Sequence, residues 1–141
     1  MENQIDKISK ALLKAQKEIS GAEKKSKNAF FNSSYADLES VVSACKEHLN
    51  NNGIAFFQGF DYSVESDVFF VITTLVHESG QTLSTRIGFP VVKKDPHSVG
   101  SLCTYGRRYG LSAIVGLTQK DDDGNLASLP KKEMHEEGLE F

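Results

Sequence analysis

No run of apolar residues in this 141-residue chain approaches the roughly 20 that a membrane-spanning helix needs. The first residues, with Glu2, Asn3 and Asp6 among alternating lysines, lack the continuous apolar segment of a secretory signal. The chain is therefore expected in the cytoplasm, away from membranes. Cysteine is scarce as well. Cys45 and Cys103 fall in segments that read as helices, and a small cytosolic domain keeps its thiols reduced, so no disulfide is expected. Neither G-x-x-x-x-G-K-[ST] nor G-x-G-x-x-G occurs, which leaves a phosphate-cradling glycine loop, and with it the use of ATP, without support. His48, His77, His97 and His135 are scattered, and the Cys45/His48 spacing has no second pair to complete a zinc site. No cofactor is expected.

A length of 141 residues is one domain's worth of chain, and 39% hydrophobic with 25% charged residues is a globular composition. The net charge of −3 is unevenly placed. Residues 1–120 are mildly basic, and the acidity is concentrated in 121–141, which hold seven Asp/Glu against two Lys. The expected organisation is a single domain over 1–120 followed by an acidic turn and flexible tail. A mildly basic body is compatible with an anionic partner such as nucleic acid.

Hydrophobic periodicity gives the order of elements. Ile5, Ile8, Leu12, Ala15 and Ile19 fall on one helical stripe within residues 4–26, with Lys7, Lys10, Lys14, Lys17 and Lys24 on the opposite side. That lysine face reads either as a solvated surface or as a phosphate-contacting one. A second helix is expected from Ser34 as N-cap, with Asp37 completing a capping box, through Leu38, Val41, Val42, Cys45 and Leu49 to Asn50–Gly53. The period then becomes two over 54–62, 68–77 and 82–89, an antiparallel meander whose middle run is apolar on both faces and so central. In the third run Ser84, Arg86 and Gly88 define a wet or ligand-facing side. Asp95-Pro96 reads as the cap and first turn of a third helix reaching about Leu117. Gly100, Gly106, Gly110 and Gly116 would each cost it roughly 1 kcal/mol relative to alanine, so close approach of a sheet or of another chain is expected to compensate. The fold class is α+β: two N-terminal helices, a three-stranded antiparallel meander, then a long glycine-containing helix.

Asp121-Asp122-Asp123-Gly124-Asn125 resembles a calcium loop at its start, but Leu126 and Lys132 stand where glycine and glutamate belong. An acidic turn salt-bridged to Arg107 or Arg108, or a weak divalent-ion site, remain as its readings. A metal-dependent nuclease needs carboxylates from several elements, whereas the strands offer only Asp61, Glu65 and Asp67 near one turn. The third helix instead groups Ser101, Thr104, Arg107 and Arg108 without a carboxylate, flanked by Tyr105 and Tyr109 and preceded by Lys93 and Lys94. Arginine forks, hydroxyls and aromatic faces are what a phosphate-and-base surface requires. The competing reading makes the arginines structural clamps and the tyrosines core.

Asp95-Pro96, Gly100-Ser101, Thr104-Tyr105, Arg107-Arg108-Tyr109, Leu111 and Asp121–Asn125 together resemble the signature of the ERF (essential recombination function) family of phage single-strand annealing proteins. Leu12–Gln16, Asn28 and Tyr35-Ala36-Asp37-Leu38 resemble the family's opening segment, so the likeness runs over about 10–125. His97 departs from it, glutamine being more usual after Asp-Pro. The resemblance implies a non-enzymatic, ATP-independent protein with a β-β-β-α core that binds single-stranded DNA as a ring or filament of identical chains. It would promote pairing of complementary strands during phage recombination, in the host cytoplasm. The favoured DNA contacts are Arg107, Arg108, Lys93, Lys94, Arg86 and Thr104, with Tyr105 and Tyr109 for stacking and Lys27, Asn28 and Tyr35 as a second group. A host single-strand binding protein or a phage nuclease is a further candidate partner. The alternative is an adaptor that binds a recombination or replication protein without annealing.

Overall fold

Residues that recur every three or four positions build the helical layer. The computed structural model describes residues 4–25 and 37–118. Helix α1 (Asp6–Lys25) buries Ile8, Ala11, Ala15 and Ile19 against α2 (Leu38–Asn51), which contributes Val41, Ala44, Cys45 and Leu49. The first turn of α1 is capped from afar, because the Gln81 side-chain oxygen accepts from the amides of Lys7 and Ile8. Ser34 lies outside the described residues, and the N-cap of α2 is Asp37, not Ser34. Its extended backbone and its Oδ1, which accepts from the Ser40 amide at 2.8 Å, make the expected third residue of a capping box the cap itself.

Strands β1 (Ile54–Ser63), β2 (Val68–His77) and β3 (Thr82–Pro90) form an antiparallel meander in the order β1-β2-β3, so the strand that is apolar on both faces is central as its composition requires. Gly80, at φ 90°, makes the tight β2–β3 turn. Alternation divides the sheet into two faces. Ile54, Phe56, Phe69, Val71, Thr73, Leu75 and Leu83 face the helices, and both core clusters draw only on this side of the sheet. Phe57, Phe70, Ile72, Val76, Ser84 and Arg86 face the other way, where no described helix packs; Phe57 is 59% exposed there.

Helix α3 (Pro96–Val115) starts where Asp95-Pro96 places it: the Asp95 carboxylate accepts from both the amide and the hydroxyl of Ser98. It ends two residues earlier than Leu117, because Gly116 is its C-cap in the left-handed region at φ 83° and not an interior residue. Leu102, Gly106 and Gly110 lie over Phe69, Val71 and Thr73. A Cβ on Gly106 would overlap Val71 Cγ2, and one on Gly110 would stand 2.5 Å from Thr73 Oγ1. The close approach that offsets the propensity cost is therefore that of the chain's own sheet. The Gln58 amide locks the crossing by donating to Thr73 Oγ1 and to the Arg107 carbonyl. Ala113, grouped by helical spacing with these small residues, is exposed instead.

Candidate nucleic-acid interface

With one stripe of α3 committed to the sheet, and with Leu111 and Val115 of its C-terminal half packed into the helical core, the opposite stripe of its first turns is what the fold presents outward. His97, Ser101, Thr104, Tyr105 and Arg108 follow one another at helical spacing and, with Pro96 and Gly100, line an open cavity of about 550 Å³. Among the described residues no carboxylate lines it. The anion-attracting N-terminus of the helix is already occupied by Asp95, whose acid is held below the usual carboxylate range chiefly by the Ser98 amide and hydroxyl. An anionic ligand would thus be bound by side chains rather than by the helix end. Ser101 Oγ donates to the His97 carbonyl and Thr104 Oγ1 to the Gly100 carbonyl. Rotation about either Cβ–O bond turns the hydrogen outward to a phosphate oxygen.

The two adjacent arginines diverge. Arg107 is exposed on the flank of α3 nearest β1, where its carbonyl accepts from Gln58. Arg108 is only 4% exposed, and its guanidinium carbon lies 5.4 Å from the Tyr105 ring centroid and 5.1 Å from that of Tyr109. The two tyrosine rings are 4.5 Å apart, and Tyr105 meets Phe89 edge-on at 5.6 Å. These contacts pack the rings from β3 to the last turns of α3, with the Tyr105 face that remains turned into the cavity. The Arg108 charge also helps to hold the Asp37 acid low, after the larger effect of Ser40.

A family model described as the ERF superfamily matches residues 8–137. The chain belongs to the ERF superfamily. No curated protein and no solved structure matches it. Phage recombination and DNA annealing are the family's general theme, and the helix–helix–meander–helix order of this ERF chain agrees with the β-β-β-α core that the resemblance implies.

The remaining candidates are dispersed over this ERF domain. Arg86 is on the outer sheet face, 3.7 Å above the Phe70 ring and paired with Asp61 at 3.4 Å. Lys93 and Lys94 are exposed in the link before α3. Lys94 pairs with Asp67 at 3.4 Å, and that carboxylate, also hydrogen-bonded by the Tyr62 hydroxyl, raises the lysine's pKa. Asp67 adopts φ 55°, a turn conformation aspartate tolerates, and its carbonyl accepts from Val91, which pins the link in place. Lys27, Asn28 and Tyr35, and the Asp121–Asn125 run, lie outside the described residues. Among the described residues no cluster of His, Cys, Asp and Glu could hold a metal ion, and no helix is long and apolar enough to cross a membrane.

Sequence reasoning singled out Thr104, Tyr105 and Arg108 but gave no role to His97 or Gly100. The signal that finds His97 is the 97, 101, 104, 108 spacing, which continues the outward stripe back to the first turn, and Gly100 follows as the neighbour one turn before Thr104. Cys45 and Cys103 are both free, and burial pushes the Cys45 thiol up to about 12, which suits a core residue.

Proposed function

We propose that this ERF protein binds single-stranded DNA along the outward stripe of α3 and anneals complementary strands without ATP. The cavity at His97, Ser101, Thr104, Tyr105 and Arg108, lined by no carboxylate among the described residues, carries the reading. Hydroxyl, imidazole and guanidinium donors suit phosphate oxygens, and the half-exposed Tyr105 ring suits a base. Arg107 and Lys93, which have no ion pair among the described residues, extend the positive surface on either side of the stripe; Lys94 and Arg86 would first have to leave their aspartates. Duplex formation itself supplies the free energy, so the protein need only hold phosphates, screen repulsion and leave bases accessible.

Annealing on so short a groove calls for several copies. The domain offers two sheet edges, β1 and β3, that no other described strand pairs, and a partly apolar outer face around Phe57, Phe70, Ile72 and Val76, so self-association into a ring or filament is part of the proposal. The same face also suits the adaptor alternative. Fluorescence anisotropy with single-stranded and duplex oligonucleotides over a salt series, with an annealing assay and light scattering, tests the whole reading. Preference for single strands, an affinity that falls with salt, accelerated annealing and a multimeric mass are expected. Equal affinity for duplex, or a strict monomer with and without DNA, would overturn it, and partner binding without annealing would favour the adaptor.

A further inference from the structure

Helix α1 carries Lys7, Lys10, Lys14 and Lys17 on the side away from the core, all four exposed and none in an ion pair among the described residues. At 100° per residue they fall within about a quarter-turn of the helix surface, and from the first to the last the row rises about 15 Å. The two carboxylates among the described side chains of α1 are engaged elsewhere. Asp6 accepts from the Gln81 amide nitrogen at 2.8 Å, which is the main cause of its lowered pKa, with Lys7 a smaller one. Glu18 holds His48 at 3.3 Å and Asn52 at 3.2 Å. Leu13, 52% exposed, lies along the edge of the row.

We propose that this lysine row is a second phosphate track, separate from the α3 stripe, that holds the backbone of a second DNA strand. The inference rests on the proposed annealing function, which requires two strands on one assembly. Its length matches about four nucleotides at about 3.4 Å each in a stacked strand. Lysines are point charges that do not fix a phosphate's orientation, so a strand held by them can shift register, as a strand searching for its complement must. The α3 site, with its hydroxyls and aromatic ring, is the more confining of the two. A membrane surface does not fit, because the apolar side of α1 is already spent on the core through Ile8, Ala11, Ala15 and Ile19. Leu13 gives the track one apolar contact for a sugar or base edge.

The test uses the full chain and a variant with Lys7→Gln, Lys10→Gln, Lys14→Gln and Lys17→Gln, all exposed positions whose melting temperature should stay near that of the parent. The protein is saturated with one labelled oligonucleotide, and capture of a second, non-complementary labelled strand is followed by energy transfer between the two. The variant should keep first-strand affinity within about threefold. It should lose second-strand capture at least tenfold, with a log–log salt slope smaller by up to about 3, at about 0.7 per lysine. Unchanged capture would overturn the second track, and so would parallel loss of both strands, which would make the row part of a single track. A Ser101→Ala/Thr104→Ala variant separates the two readings. If it binds both strands like the parent while the lysine variant loses capture, the α3 reading fails and the lysine row stands.

Discussion

The two sides of α3 are built from the same twenty residues under opposite rules. Toward the sheet, side chains are removed: Gly106 and Gly110 let the helix axis come close enough for Val71 and Thr73 to fill the space a Cβ would take. Toward the outside, side chains are retained but none is acidic, and they enclose space instead of filling it. Packing tolerances are therefore tight on one side and loose on the other. A substitution should be read first as a stability change on the inner side and as a binding change at the outer positions 97–104, with the buried Arg108 belonging to both.

The largest effect is expected from Gly106→Ala. The new methyl meets a fully buried Val71, and overpacking of about 1–3 kcal/mol should exceed the roughly 1 kcal/mol gained in helix propensity. Thermal or denaturant unfolding would read a net loss. Adding Val71→Ala should recover part of it as a coupling between the two sites. Additive losses would show that the contact is not what limits the approach.

Arg107→Gln and Arg108→Gln sharpen the division at two neighbouring residues. Arg108 lies between two aromatic rings and near Asp37, so its loss should cost about 1–2 kcal/mol of stability and weaken DNA binding with it. Arg107→Gln should leave unfolding unchanged and reduce affinity and salt slope alone. Identical behaviour of the two variants in both measurements would erase the distinction.

Much of this was legible in the chain. Period-two alternation gave β2 its limits and β1 and β3 theirs to within a residue, and Asp95-Pro96 fixed the start of α3, because those signals are local. Three things were not. Asp37 rather than Ser34 caps α2, a choice between two good caps that only the geometry at Ser40 decides. The occupant of the small-residue stripe is a tertiary fact: spacing at 106 and 110 is equally suited to a sheet or to another chain. The separation of Arg107 from Arg108 is also tertiary: away from the sheet the rings of Tyr105 and Tyr109 close over Arg108, while nothing in the spacing of the two neighbours distinguishes a covered position from an open one.

Gly100→Ala probes the loose side. Among the described residues nothing lies within 4 Å of the position a Cβ would take, so alanine should raise stability by about 0.5–1 kcal/mol. Because Gly100 lines the cavity, the same methyl should slightly weaken single-strand binding. Stabilisation with unchanged affinity would place the strand elsewhere on the helix.

The smallest effect is at the start of α3, where both stripes begin. Asp95 has its folded-state pKa lowered by the Ser98 amide and hydroxyl. Its contribution to stability is therefore complete above the unfolded pKa of about 3.9 and is lost as pH falls through the lower folded value. Asp37 at the start of α2 is depressed in the same direction, chiefly by Ser40, so both caps should lose their contribution only as pH falls below the unfolded pKa. Asparagine retains the capping oxygen without the charge, so Asp95→Asn should leave the melting temperature near neutral pH almost unchanged. Below the unfolded pKa of about 3.9 it should flatten the decline by the share that Asp95 titration supplies. Melting curves over that range, with Asp37→Asn alongside, measure it; a variant as acid-sensitive as the parent would mean that other carboxylates, Asp67 beside Tyr62 or Asp6 beside Gln81, control the acid limb.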